Sequence, residues 1–209
     1  MKKYDFTGKI KEYEGKILRQ IVRLEDNLIG GWIEKEENLS QQGNCFVYGN
    51  AKVFDNAKIY DNARVFDNAE VFGSAEVYDN AMVYSNAMVY DNAEIFDDTM
   101  VFDDARIYGN AIVCGNAKVY NEASVYGKAI VSEGNILGEV QVEFDEVSFY
   151  QTYNSKLVTA ITKDNQTLFN IGGQKLITKE EFINRIHNED GGLEVNPHRE
   201  FYLKILDLY

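Results

Sequence analysis

Two histidines, His187 and His198, and two cysteines, Cys45 and Cys114, carry the side chains best suited to proton transfer, metal ligation or nucleophilic attack. A histidine base needs a partner that orients its ring and a cleft that holds substrate. Both histidines fall near the end of the chain, in stretches that read as helices. Each is therefore expected as a surface residue of a helix, with a catalytic base as the alternative. A three-histidine zinc site lacks its third ligand, and no phosphate-binding glycine loop is present. No metal and no cofactor is expected.

What must position any chemistry here is a repeat. From Asn44 the chain divides into fifteen unbroken hexads, NCFVYG, NAKVFD, NAKIYD and onward to KAIVSE, with GNILGE at 134–139 as a degraded sixteenth. Position 4 is always Val or Ile, and position 2 is Ala in thirteen of the fifteen, Cys45 and Thr99 being the exceptions. Alternate residues of a strand point to opposite faces. Positions 2 and 4 therefore share the inside, and positions 3 and 5 the outside. Gly, Asp and Asn at positions 6 and 1 tolerate the left-handed backbone of a sharp corner. Such six-residue edges stack as a parallel β-helix with three edges per coil, so fifteen hexads make five coils.

Position 5 is the outward aromatic place. Sorted by face, the ladders are Tyr48, Phe66, Tyr84, Phe102 and Tyr120; Phe54, Phe72, Tyr90, Tyr108 and Tyr126; and Tyr60, Tyr78, Phe96, Cys114 and Ser132. Rings eighteen residues apart are expected to stack one strand spacing from each other. With Met82, Met88 and Met100 they leave apolar area outside, which marks an interface. The third ladder loses its rings where position 3 turns to Ile112 and Ile130. That patch, with Cys114, is the expected docking place of the C-terminal region or a partner chain. Cys45 points inward three coils from Cys114, roughly 14 Å at ~4.8 Å per coil, so both should be free thiols.

Outside the repeat, 11–24 alternates around Glu14-Gly15 and reads as a hairpin. Trp32, the only tryptophan, is expected to plug the N-terminal mouth of the tube as part of a cap. After Leu137 the period fails. LVTAIT at 157–162 and TLFNIGG at 167–173 read as a second hairpin. Residues 178–188 read as a helix with Thr178 and Glu181 forming a capping box, and 196–209 as another with Asn196 as N-cap and Pro197 following it. The organisation is thus 1–43, hairpin and cap; 44–139, repeat; 140–209, a small α+β domain.

The net charge of −13 is uneven: residues 1–43 sum to zero, 44–139 to −9 and 140–209 to −4. An acidic repeat body repels phosphate backbones, so generic nucleic-acid binding is disfavoured. No apolar run approaches the ~18 residues of a membrane helix, and no secretory leader is visible at MKKYDFTGKIKEYEG. A cytoplasmic place with reduced thiols is the expectation.

The hexads resemble the hexapeptide-repeat superfamily, which implies a left-handed parallel β-helix. MKKYDFTGKIKEYEGKIL, GGWIEKEENLS at 30–40 and the α/β ending resemble more narrowly a group of hexapeptide-repeat proteins common in phages and prophages. The acyltransferases of the superfamily place a small residue after the aliphatic one, where this chain has Phe or Tyr, and use a histidine at a subunit interface. The zinc hydratases on this fold need three histidines. Commonly these proteins are homotrimers, so self-association is implied, with a trimer favoured over a dimer.

The resulting expectation is an all-β left-handed parallel β-helix of about five triangular coils, with an N-terminal β-hairpin cap and a small C-terminal α+β domain. It binds rather than catalyses, and its partner is a host protein or a small signalling nucleotide, as for a phage-encoded inhibitor of bacterial defence. The alternatives are an acyl-CoA-dependent acyltransferase using His187 or His198, and a purely structural phage component.

Overall fold

A computed structural model describes residues 2–132, 134–137, 141–143, 146–151, 157–163, 166–171 and 177–187. Each hexad from Asn44 supplies a two- or three-residue strand over positions 3 and 4, with position 5 added where it is longer, and strands eighteen residues apart pair in parallel. Three ladders result. The first face runs from Phe46–Val47 to Asn135–Leu137, the second from Lys52–Val53 to Gln141–Glu143, and the third from Lys58–Ile59 to Ile130–Val131. The amides of each coil donate to the next: Tyr48 N to Val65 O at 2.8 Å, Lys52 N to Ala69 O at 3.0 Å. Among the described residues the body is an all-β parallel solenoid of about six turns, and helix is confined to a single 3-10 turn at Glu36–Asn38 and one α-helix past the solenoid.

The inside is filled as the alternation requires. The alanines of position 2 and the Val or Ile of position 4 are at most 1 % exposed and form one continuous cluster. Each coil alone would leave them open, so only stacking buries them. Position 6 carries the corner. Asp55, Asp61, Asp67, Asp79, Ser85, Asp91, Asp97, Asp103 and Asn121 have φ between 52° and 59°, where other copies use glycine. Aspartate is more than tolerated there. The carboxylates of Asp67, Asp91 and Asp97 accept the position-6 amide of the following coil at 3.2, 3.1 and 2.9 Å. At position 1 the side-chain amides form ladders, Asn44 to Asn62 to Asn80 and Asn50 to Asn68 to Asn86. They end on Asp98 and Asp104, which accept but have no amide to pass on.

The solenoid is longer at both ends than its fifteen regular hexads. GGWIEK and EENLSQ are themselves two edges: Ile33 pairs with Val53, and Leu39 bridges to Ile59. Gly31 takes the alanine position because a Cβ there would lie 2.7 Å from Ala51 O. At the other end the period does not stop at Leu137. Asn135–Leu137 pairs with Lys118–Tyr120, and Gln141–Glu143 with Ser124–Tyr126, at an offset of seventeen instead of eighteen. One residue is missing from the corner between Val131 and Asn135, so Ile136, fully buried, occupies the inward place that a fixed frame gives to Leu137.

Strand β1 (Tyr4–Tyr13) and strand β2 (Lys16–Arg23) form the hairpin expected around Glu14-Gly15, both of which have positive φ. Strand β3 (Ile29–Ile33) joins β2 to the second face. Trp32 does not plug the tube. It pairs in register with Lys52, an outward position, and is only half-buried, while Ile33, Leu39 and Ile21 enter the core.

Past the solenoid, Glu146–Gln151, Leu157–Lys163, Gln166–Ile171 and Ile177–Thr178 make a four-stranded antiparallel sheet, within which the expected hairpin closes at Lys163 and Gln166. Helix α1 (Lys179–His187) begins with the reciprocal capping box: Glu181 N donates to Thr178 Oγ1 at 3.1 Å, and Thr178 N to Glu181 Oε2 at 3.2 Å. The helix expected at 196–209 lies outside the described residues.

Thr99 is the one hydroxyl inside the repeat. It is fully buried, and its Oγ1 has no hydrogen-bond partner. Thr99→Val keeps the shape and removes an unpaired polar atom, so it is expected to stabilise the chain by about 1 kcal/mol, read from urea denaturation. A loss of stability would mean that the hydroxyl is satisfied in solution.

Candidate interaction surface

The outward position-5 rings stand in three columns, one per face. On the second face Phe54, Phe72, Tyr90, Tyr108 and Tyr126 stack without a break, with centroids 4.9–5.0 Å apart and planes within 7°. On the third, Tyr60, Tyr78 and Phe96 stack at 4.8 and 4.9 Å. On the first, Phe66, Tyr84, Phe102 and Tyr120 do so at 4.8–4.9 Å. Beyond Phe54, which is covered, the rings are half-buried: faces closed against neighbours, edges open to the outside. Burial raises the phenol pKa of Tyr84, Tyr90 and Tyr78, the last to about 12, with nearby carboxylates adding to the effect. Met82 and Met100 pair on the first face, and Met88 lies on the second, all half-buried.

Tyr48 leaves its column. Its ring meets Phe46 edge-on at 5.0 Å and 72°, and it lies beside the Arg23 guanidinium, which Asp26 chiefly holds protonated and the Tyr48 hydroxyl helps to hold so. The first ladder therefore begins at Phe66. A shallow hollow of about 440 Å³ lies at that beginning, lined by Tyr48, Gly49, Arg64, Phe66 and Asp67.

The second ladder begins differently, because the hairpin tip folds over it. Tyr13 packs edge-on against Phe54 at 6.0 Å and donates to Glu70 at 2.6 Å. Lys52 pairs with Glu70 at 2.8 Å and lies 4.5 Å from the Tyr13 ring, and Lys16 pairs with Asp55. Lys11 sits 4.2 Å from the Trp32 ring. Burial, then the nearby Lys52 charge, lowers its pKa to about 8. Phe54 is left 1 % exposed.

Ile112, Cys114 and Ile130 on the third face are half-buried, and the strand Glu146–Gln151 comes within 8 Å of Ile130–Val131, Cα to Cα. Both cysteines are free thiols. Burial pushes both thiols up, away from the thiolate that a nucleophile needs. Lys3 Nζ approaches the buried Cys45 Sγ at 3.1 Å. His187 closes α1, but its side chain, and all of His198, lie outside the described residues. Among the described residues no group of three His, Cys, Asp or Glu could hold a metal, and no helix is long and apolar enough to cross a membrane.

Arg64 escaped the sequence reading. Charges in an outward row meet their neighbour eighteen residues on: Lys52 meets Glu70 and Lys58 meets Glu76. At that distance Arg64 meets Met82, an uncharged neighbour. Comparing positions i and i+18 was the signal.

A family model for the YdcK beta solenoid repeat matches residues 105–121. Less than one coil is covered, so the match speaks for the solenoid repeat and for no activity. A search of curated proteins finds no match to the chain.

Proposed function

We propose that the chain is a non-catalytic binding protein. In this reading it is a cytoplasmic, left-handed β-helix of triangular coils whose N-terminal segment caps the tube. It associates with copies of itself, a trimer before a dimer, and engages a host protein or a small signalling nucleotide, as an inhibitor of bacterial defence encoded by a phage would. The observation that carries it is the set of ring ladders held at 4.8–5.0 Å on a parallel backbone, with Met82, Met88 and Met100 in the adjoining rows. Rings already ordered lose little freedom on binding, and aromatic edges beside methionine suit a protein partner. The half-buried Ile112 and Ile130 row supports docking of the C-terminal region there.

Light scattering is expected to return a multiple of the 23.9 kDa chain mass, and a host lysate passed over immobilised protein to leave a retained partner. Replacing Met82, Met88 and Met100 by Gln should abolish retention while leaving the far-ultraviolet spectrum unchanged. Turnover of acyl-CoA by purified protein, lost in a variant lacking both histidines, would overturn the reading in favour of an acyltransferase.

A further inference from the structure

Two ring ladders begin in hollows, and their linings differ. At the start of the third, Tyr60 shares about 430 Å³ with Glu36, Glu37 and Lys58. Lys58 is already committed to Glu76 at 2.8 Å, so an anion would meet two carboxylates there and no uncommitted cation. At the start of the first, the hollow holds Arg64, which is exposed and whose neighbours in its row, Phe46 and Met82, are both uncharged. The second ladder has no such opening, because Tyr13 closes it edge-on.

From the first hollow we infer that the chain binds a purine mononucleotide, stacked on Phe66 as the missing rung of the ladder. The inference rests on the reading of this face as a binding surface and names a ligand for it. Each rung of the column repeats at 4.8–4.9 Å, but the stack stops at Phe66: Tyr48, on the far side of the hollow, meets Phe46 edge-on instead and leaves the N-terminal face of Phe66 without a stacked ring. A planar heteroaromatic ring continues the stack in its place. Arg64 supplies a planar guanidinium suited to a phosphate. Asp67 faces the same hollow; its Oδ2 accepts the Ser85 amide at 3.2 Å, which leaves Oδ1 to accept from a ring N–H or an exocyclic amine. The ligand thus needs three features together: a flat ring, a donor on its edge, and one anionic group. A longer polyanion is disfavoured by the −9 carried on residues 44–139.

The test is an NMR titration of the full chain, phenylalanine-labelled, with 5′-AMP, adenosine and ribose 5-phosphate as probes. AMP is expected to bind in the millimolar range and to shift the Phe66 ring signals and the adenine protons upfield; ribose 5-phosphate should leave the rings unmoved. Arg64→Ala should weaken AMP about tenfold, the loss of one charge-assisted contact, and leave adenosine unchanged. Phe66→Leu should remove both. Arg106→Ala, an exposed arginine on the second face, should match the wild-type chain. Phe66 signals unmoved by AMP, or equal AMP affinity in the Arg64→Ala and wild-type chains, would overturn the site. Either result would leave the binding reading to the lysate experiment, which does not depend on nucleotide.

Discussion

Ile95→Ala is expected to destabilise the chain by about 2–5 kcal/mol, read as a fall in the urea midpoint with little change in slope. Ile95 is fully buried in a middle coil, with Val77 in register on one side and Val113 on the other. Removing three carbons leaves a void that the two neighbouring rungs cannot fill, because their spacing is fixed by the parallel hydrogen bonds. Ile136→Ala makes the same chemical change on the Asn135–Leu137 strand, which among the described residues ends the first-face ladder and pairs only with Lys118–Tyr120. Stability in a stacked array is approximately a sum of neighbour terms. The end variant should therefore lose less than half of what the middle one loses. Equal losses would show that the array unfolds as a single block whose end rung is as well supported as its centre.

Stability is expected to rise from pH 8 to about 9 and to fall steeply from pH 10 to 12. Lys11 acts in one direction; the thiols of Cys45 and Cys114, raised above 9.0 by burial, and the tyrosines act in the other. Lys11 titrates at about 8 in the folded chain against 10.5 unfolded. Between those values the unfolded chain holds the extra proton, so raising pH favours folding. Tyr60, Tyr78, Tyr84 and Tyr90 have phenol pKa values raised above 10.0, Tyr78 to about 12, led in each by burial. Hydrogen bonding to Glu70 leads the same shift at Tyr13. For these the folded chain keeps protons that the unfolded chain releases above pH 10, so raising pH favours unfolding. The limiting slope is about 1.4 kcal/mol per pH unit for each tyrosine, reduced here because the rings are half-exposed. Urea midpoints measured from pH 7 to 12 check both arms. Lys11→Met should flatten the rise, and Tyr78→Phe should soften the fall. A midpoint that stays level to pH 12 would contradict the burial of the ladders.

How far the sequence reached is seen best at its failures. The inward rows and the stacked rings were readable because each depends only on a period of six and on alternation. The period also hid things. A fixed frame ends at Leu137, whereas the loss of one residue after Val131 shifts the inward place to Ile136 and lets pairing continue to Gln141–Glu143. GGWIEK and EENLSQ did not look like hexads because Gly31 replaces the alanine, for a steric reason that only the stacked neighbour reveals. Trp32 was misplaced by its rarity; its register with Lys52 puts it outside. The fold of the hairpin tip over the second face rests on Tyr13 and Glu70, fifty-seven residues apart, and no periodic signal joins them. The turning of Tyr48 likewise depends on Phe46 and on Arg23, which belongs to the hairpin.

The offset of eighteen has a consequence for how the chain folds. Parallel sheets are ordinarily slow to form, because their strands are joined by long connections whose closure must come before any pairing. Here every parallel pair from Phe46 to Val131 spans the same eighteen residues of a 209-residue chain, a relative separation of roughly 0.09, within the range of helical bundles. Once one coil has formed, each further rung closes a loop of constant length onto an edge already in place. The solenoid should thus grow by addition, at a rate per rung that is independent of how many rungs have been laid down.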